Sequence, residues 1–171
     1  MLGRHLYLIG MPGSGKSSLG KRAAKEMGLA FAYTDSLITE GAGMSVEDFF
    51  AQYGEAAFRQ AETNVLCALT RSQPMIISTG GGTVINPLNR KIMRSWGNIL
   101  LVDRPLEDIL GDIRIDRRPL LKSGGPEKIR QLYEERMPVY RSAADYTLKN
   151  DQGYIMAVEG IITLLHDRLG V

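Results

Sequence analysis

The 171-residue sequence is poor in the features that mark several classes of protein. Cys67 is the only cysteine, which excludes an internal disulfide and a metal site built on several thiolates. The two histidines, His5 and His166, lie far apart without ligand spacing, and we expect them to be structural. No apolar run approaches the roughly 20 residues of a membrane-spanning helix, and the run at 6–9 is too short for a signal peptide.

An excess of charge of one sign is also missing. Lysine and arginine number 21 and aspartate and glutamate 19, so the net charge is +2. This balance disfavours a protein that binds nucleic acid or a membrane surface. Apolar residues make up 44% and charged residues 23%, which is typical of a folded domain, and we expect residues 1–171 to form one. The single cysteine fits a reducing compartment, so we expect a cytoplasmic protein.

Short apolar runs alternate with amphipathic segments along the chain. The runs predict five strands, at 5–9, 31–33, 75–78, 99–102 and 146–148. Helices are predicted at 16–27, 46–53, 55–71, 87–96, 105–115, 126–140 and 153–169. Pro138 should close the sixth helix, and the last should bury Ile155, Val158, Ile162 and Leu165. Continuously apolar strands between helices predict a three-layer α/β fold with a five-stranded parallel sheet, whose ligands bind beyond the carboxyl ends of the strands.

A phosphate loop occupies residues 10–17, Gly-Met-Pro-Gly-Ser-Gly-Lys-Ser, between a predicted strand and a predicted helix. Its glycines let successive backbone N–H groups converge on a phosphate, and the helix adds its positive end. We expect Lys16 to reach the β- and γ-phosphates and the Ser17 hydroxyl to ligate Mg²⁺. The predicted nucleotide contacts are Pro12, Gly13, Ser14, Gly15, Lys16, Ser17 and Ser18.

The nucleotide is better predicted as ATP than as GTP. A GTPase needs an Asn-Lys-x-Asp motif near the fifth strand, and the sequence there offers only Lys149-Asn150-Asp151. The Asp-x-x-Gly match at 108–111 falls inside a predicted helix, where we interpret it as chance.

Three features near strand ends indicate an acceptor site. Asp35 follows the second strand, where it can bind substrate hydroxyls and take a proton, or cap the following helix. Arg59 and Glu62 share a helix face, so Glu62 can hold the guanidinium ready for an anion, or the two can form an ordinary surface pair. Gly80–Gly82 can present bare backbone to a ligand, or form a flexible loop.

Basic residues supply two further candidates. The stretch 114–125 contains Arg114, Arg117, Arg118 and Lys122, and it can be a mobile lid that closes over phosphates or a solvated loop. Arg136 can reach the same cleft or interact with the negative end of its helix.

In their order and spacing these motifs resemble the shikimate kinase family, from about Tyr7 to Tyr140. The resemblance rests on the phosphate loop, Asp35, Phe58-Arg59-x-x-Glu62, Gly80–Gly82, Arg118-Pro119-Leu120-Leu121 and Arg136-x-Pro138-x-Tyr140. It implies a P-loop kinase fold, like that of nucleoside monophosphate kinases, with a mobile lid. It also implies Mg²⁺-dependent transfer of the γ-phosphoryl group of ATP to the 3-hydroxyl of shikimate, in aromatic amino acid biosynthesis. We expect a monomer whose partners are these two small molecules.

The resemblance implies a role for each matched residue. Lys16 and Arg118 neutralise the phosphates, and Asp35 binds the shikimate hydroxyls as a candidate base. Arg59, held by Glu62, and Arg136 bind the shikimate carboxylate. The backbone of Gly80–Gly82 lines the ring. An acceptor-binding segment is predicted at about 34–62, and it supplies Asp35 and Arg59.

The sequence departs from the family pattern at three places. Tyr33 stands where the family often has a carboxylate near Mg²⁺, so the ion would rest mainly on Ser17, phosphates and water. Gly111 holds the place of an arginine that packs on adenine, and the turn at 150–153 lacks the usual basic residue. Two alternatives stay open. One is another small P-loop kinase, for a sugar acid such as gluconate or for a nucleotide, and the other, favoured only by Tyr33, is a nucleotide-binding module that has lost catalysis.

Overall fold

Five strands form a single parallel sheet in the computed structural model of the protein, which describes residues 2–112 and 125–171. The strands are β1 (His5–Ile9), β2 (Phe31–Tyr33), β3 (Ile76–Ser78), β4 (Gly97–Asp103) and β5 (Tyr146–Lys149). Their order across the sheet is β2-β3-β1-β4-β5, and every pairing is parallel. The phosphate loop, which follows the central strand β1, therefore lies at the middle of the carboxyl edge.

Helices cover both faces of the sheet. Within the described residues they are α1 (Lys16–Glu26), α2 (Thr34–Ala42), α3 (Val46–Leu69), α4 (Pro87–Trp96), α5 (Leu106–Asp112), α6 (Gly125–Ala143) and α7 (Tyr154–Leu169), with a 3₁₀ turn at Thr83–Ile85. Helices α1 and α7 pack on one face, and α3, α4, α5 and α6 contribute to the core on the other. The predicted three-layer α/β architecture is confirmed.

The core forms because buried strands present apolar side chains to both faces. In β1, Tyr7 and Ile9 point to the layer of α3 to α6, whereas Leu6 and Leu8 point to the layer of α1 and α7. All four are fully buried, which explains why the sequence of this strand does not alternate between apolar and polar residues.

Two helices differ from the predicted pattern because tertiary packing overrides local signals. α6 continues through Pro138 to Ala143, because a proline removes only its own N–H hydrogen bond and Tyr140 and Ala143 are buried against the core. α7 buries Ala157, Val158, Ile161 and Leu165, so the prediction was wrong for Ile155, which is 71% exposed.

The segment after β2 also differs, because α2 was not among the predicted helices. Its sequence, TDSLITEGA, contains threonines and a glycine, which are weak helix formers, and only Thr34 and Ile38 are buried. Contact with α3 stabilises it, as tertiary packing does for most short helices. α3 itself is interrupted at Gly54, which has a φ of 79° and lies at the predicted boundary between two helices.

None of the helices in residues 2–112 and 125–171 is long and apolar enough to cross a membrane.

Candidate active site

The phosphate loop ends in a helix terminus that is open to an anion. Gly13 and Gly15 have φ values of 84° and 94°, a left-handed conformation that favours glycine. Gly15 is the N-cap of α1, with no side-chain cap, and the first turn contains no acidic residue. The first N–H groups of α1 and its positive end therefore face the cleft. The buried Ser14 hydroxyl has no hydrogen-bond partner among the described residues, which fits a loop shaped around a polar ligand.

The polar side chains of the loop are held by nearby oxygens. The Lys16 ammonium donates to the carbonyl oxygens of Gly10 and Met11, each over 2.9 Å. The hydroxyls of Ser17 and Ser78 are hydrogen-bonded at 3.0 Å, which ties the start of α1 to the end of β3. Ser18 donates to the carbonyl oxygen of Gly15. Lys16 and Ser17 are thus fixed at the mouth of the loop.

Three residues that the sequence did not indicate hold the outside of the phosphate loop. Arg104 Nη1 donates to the carbonyl oxygen of Gly13 over 3.1 Å, and Asn150 Nδ2 donates to that of Ser14 over 2.9 Å. The Tyr154 hydroxyl donates to the carbonyl oxygen of Ser18 over 3.2 Å. The only sequence signal was that Arg104 and Asn150 directly follow β4 and β5, at the carboxyl edge.

Asp35 shares a cavity of about 380 Å³ with the phosphate loop. This phosphate-side cavity is lined by Gly13, Gly15, Lys16, Ser17, Ser18, Tyr33, Asp35, Thr79, Gly80, Gly81, Arg104 and Asp112. Asp35 lies in the first turn of α2, whose N-cap is Tyr33, so Asp35 is not the helix cap that the sequence left as an alternative. Its Oδ2 accepts a hydrogen bond from the Tyr33 hydroxyl over 2.8 Å. A carboxylate therefore faces the cavity that the phosphate loop also lines.

Glu62 is a buried carboxylate on α3 that holds Arg59. Its side chain is 1% exposed, so the pair is not the surface ion pair that the sequence left as an alternative. Arg59 Nη1 donates to Glu62 Oε2 over 2.8 Å, and the Thr83 hydroxyl donates to Oε1. Glu55, which the sequence did not indicate, accepts from Arg59 Nη2 over 2.9 Å and from Nε over 3.3 Å. Two carboxylates thus orient one guanidinium.

Burial and charge act in opposite directions on this pair. Burial raises the pKa of Glu62 above its usual range, although the charge of Arg59 and the hydrogen bond from Thr83 oppose the effect. Burial by itself lowers the pKa of Arg59, but Glu62 and Glu55 outweigh it and raise that pKa. Arg59 therefore stays fully charged.

The glycine loop, Gly80–Gly82, brings the two halves of the site together. A Cβ atom on Gly80 would lie 2.7 Å from Asp35 Oδ1 and 2.8 Å from Glu62 Oε1. One on Gly81 would lie 3.0 Å from the ring of Pro12, and one on Gly82 would lie 2.7 Å from Cζ of Arg59. A side chain on any of the three glycines would therefore displace a different part of the site.

Arg136 lies on α6 and faces the other side of the glycine loop. Together with Arg59 it lines a second cavity of about 460 Å³, the arginine cavity, formed by Glu55, Arg59, Gly82, Ile85, Asn86, Glu135, Arg136 and Val139. Arg136 also contacts Tyr140, whose hydroxyl donates to the carbonyl oxygen of Gly81 over 2.6 Å. Burial raises the pKa of Tyr140 to about 12, although Arg136 opposes this, so the hydroxyl keeps its proton and remains a donor.

The structure thus gathers the predicted residues of the phosphate loop, Asp35, Arg59, Glu62, Gly80–Gly82 and Arg136 around the carboxyl edge of the sheet. Arg118, Arg114, Arg117 and Lys122 lie outside the described residues, as does the predicted lid at 114–125 apart from Gly125.

A phosphate loop on a parallel sheet, with a carboxylate across the cavity and arginines beside it, defines a P-loop phosphotransferase. The sequence model of the family described as shikimate kinase matches residues 12–165. The chain belongs to the shikimate kinase family, and it is a kinase.

Individual relatives agree over most of the chain. The chain is 41% identical to the shikimate kinase of Paracidovorax citrulli, over 86% of this chain and 83% of that protein. It is 39% identical to that of Clostridium beijerinckii, over 96% of both proteins. It is also similar to the structure of the Acinetobacter baumannii shikimate kinase in complex with shikimate, with a TM-score of 0.90 and 33% identity over 97% of this chain and 95% of that one.

Proposed function

We propose that this protein transfers the γ-phosphoryl group of ATP to the 3-hydroxyl of shikimate, giving shikimate 3-phosphate and ADP. The observation that carries the proposal is the glycine loop. Its first residue lies close to Asp35 and Glu62, its second to the phosphate loop, and its third to Arg59. A hydroxyl acceptor with a carboxylate can therefore lie along this backbone, with its hydroxyl at Asp35 and its carboxylate at the arginines. Shikimate, which is bound in the A. baumannii relative, has both groups.

On the donor side, the phosphate loop binds the phosphates of ATP through Pro12, Gly13, Ser14, Gly15, Lys16, Ser17 and Ser18. Phosphoryl transfer needs positioning and charge neutralisation more than covalent help from the protein. Lys16 supplies a positive charge at the mouth of the loop, and Arg118 supplies a second from the lid. The uncapped first turn of α1 adds its backbone N–H groups.

Mg²⁺ would accompany ATP, and Ser17 is the residue that would ligate it. Its hydroxyl is an oxygen donor of the kind that Mg²⁺ prefers, and it lines the same cavity as Lys16 and Asp35. Among the described residues no three histidine, cysteine, aspartate or glutamate side chains gather closely enough to hold a metal ion. Bound with ATP, the ion would neutralise and orient the β- and γ-phosphates.

On the acceptor side, Asp35 binds the reacting hydroxyl and takes its proton as the oxygen attacks phosphorus. Arg59 and Arg136 bind the carboxylate, with Glu62 orienting Arg59. The backbone of Gly80–Gly82 lines the ring of the acceptor. A nucleoside monophosphate fits this arrangement less well, because Glu55 and Glu135 also line the arginine cavity and would repel its doubly charged phosphate group.

The chain acts as a single kinase domain over residues 1–171, as a monomer in the cytoplasm, where ATP is available. Its partners are the two small substrates, with no role for nucleic acid or a membrane.

Release of ADP with a panel of acceptors tests the proposal. Shikimate alone is expected to stimulate ADP release, whereas gluconate and nucleoside monophosphates leave it at the background rate. Lys16→Met serves as the control, because it removes the positive charge at the phosphates from a residue at the mouth of the loop and should leave a folded protein without turnover. Stimulation by gluconate instead of shikimate would favour a different acceptor, and stimulation by no compound would favour a binding module.

A further inference from the structure

Two hydroxyl groups hold the carboxylate of Asp35, and both belong to the residues directly before it. The Tyr33 hydroxyl donates to Oδ2 over 2.8 Å, and the Thr34 hydroxyl lies 3.4 Å from Oδ1. Thr34 is fully buried and accepts a hydrogen bond from the backbone N–H of Gly80 over 3.1 Å, so its own proton is directed to Asp35. The contact from Tyr33 is the shorter and therefore the stronger of the two.

The direction of the two carboxylate oxygens follows from these contacts. Oδ1 faces Gly80, where an added Cβ would lie 2.7 Å from it. Oδ2 is turned to Tyr33, which is the last residue of β2 and the register partner of Ser78 in β3. Without the phenol, the weak contact from Thr34 would be the one hydrogen bond left to this carboxylate within residues 2–112 and 125–171, so the side chain would rotate more freely.

We propose that Tyr33 is a positioning residue for Asp35: its hydroxyl holds Oδ2, so that Oδ1 points along the glycine loop to the hydroxyl of the acceptor. The inference rests on the proposed function and adds to it a residue that acts through Asp35 rather than on the substrate. Tyr33 is neutral and a donor, whereas a carboxylate at this position would repel Asp35.

Loss of the Tyr33 hydroxyl is expected to weaken binding of the acceptor and to leave binding of MgATP unchanged. Tyr33→Phe keeps the ring and removes only the donor, so we expect the Kd for shikimate to rise roughly 3- to 10-fold, the range for a single hydrogen bond. The KM for shikimate should rise in parallel. The KM for MgATP should stay within about 2-fold of the parental value, because ordinary surface substitutions change free energies by no more than this. The matched control is Tyr7→Phe, a buried tyrosine of β1 outside both cavities, which should change neither constant.

A double-mutant cycle separates positioning from direct contact. Shikimate binding is measured by calorimetry for the parent, Tyr33→Phe, Asp35→Ala and the double variant. Arg59 and Arg136 remain in the Asp35→Ala protein, so binding through the carboxylate of the acceptor should persist. If Tyr33 acts through Asp35, its removal changes nothing further in this background.

Three results would overturn the inference. One is an unchanged Kd in Tyr33→Phe, and another is an equal loss of affinity with and without Asp35. The third is a rise in the KM for MgATP alone, which would assign Tyr33 to the metal and phosphates. If Asp35→Ala binds shikimate too weakly for calorimetry, the KM for shikimate and the KM for MgATP of Tyr33→Phe, each compared with its parental value, decide whether the inference holds. A parental protein that does not bind shikimate would overturn the proposed function itself, which the first titration reveals.

Discussion

The contacts of Arg59 mark it as a residue suited to bind a ligand rather than as an ordinary charged residue of the surface. Its guanidinium is held by Glu62 and by Glu55, and it lies so close to Gly82 that a Cβ atom there would be 2.7 Å from Cζ. These two carboxylates neutralise its charge and give its N–H groups fixed directions. A planar guanidinium held in this way can bind a carboxylate with little loss of side-chain entropy.

Arg59→Ala is expected to weaken shikimate binding by about 10- to 150-fold, because a hydrogen bond to a charged group contributes roughly 1.5–3 kcal/mol. The affinity for MgATP should stay unchanged, and Arg136→Ala should behave in the same way. Calorimetric titrations with each substrate measure both effects. Arg22→Ala, which breaks an exposed pair with Glu26 on α1, is the matched control and should alter neither affinity. Equal weakening of both ligands, or insensitivity of shikimate binding, would contradict the assignment.

At the scale of elements, the site is assembled by one turn after β3. The glycine loop touches the phosphate loop through Pro12, α2 through Asp35 and α3 through Arg59 and Glu62. Tyr140 of α6 holds the same turn from the other side through the carbonyl oxygen of Gly81. The phosphate loop, α2, α3 and α6 are far apart in sequence, and they can all approach this turn because it carries no side chains.

Gly82→Ala tests this dependence on missing side chains. The φ of Gly82 is −92°, which alanine adopts readily, so the protein should still fold, although displacing Arg59 from the buried Glu62 should lower its melting temperature by several degrees. The added methyl group would nevertheless displace the guanidinium of Arg59, and we expect shikimate affinity to fall roughly 10-fold, about one hydrogen bond to a charged group. Combined with Arg59→Ala, the change should have no further effect.

Gly3→Ala is the control for this substitution, because a Cβ there meets no atom within 4 Å. Parental shikimate affinity in Gly82→Ala would show that Arg59 can bind from another position.

At the scale of the whole molecule, the proposed substrates contact loops that follow several strands of one sheet. The donor side involves loops after β1, β4 and β5, and the acceptor side involves the segments after β2 and β3. Because a ligand that binds only the folded state stabilises it by mass action, each substrate should raise the unfolding temperature of the whole sheet rather than of one segment.

With MgADP and shikimate each at about 100 times its Kd, each ligand should add roughly 2.7 kcal/mol to the free energy of unfolding. For a domain of this size, that corresponds to a rise in melting temperature of about 5–10 °C for each. Differential scanning calorimetry measures the shift as a single transition. Arg59→Ala should lose most of the shift caused by shikimate and keep that caused by MgADP. Two separate transitions would contradict a single cooperative domain.

Local patterns in the sequence were sufficient for the strands of the sheet and for the phosphate loop. Strand positions follow from apolar runs, and the phosphate loop from a fixed backbone motif, so neither depends on distant contacts. The predicted Arg59–Glu62 pair is confirmed, because residues three apart on a helix are neighbours whatever the fold.

Only the tertiary structure decided which residues surround these groups. Arg104 and Asn150 reach the phosphate loop from 91 and 136 residues away, and no periodicity in the sequence reports such a contact. The same holds for the exposure of Ile155, which depends on how α7 is rotated against the sheet, and for the glycine loop, whose three contacts exist only after α2, α3 and β1 have packed. Local sequence thus specifies the strands and the phosphate loop, and packing between distant segments specifies which side chains surround that loop.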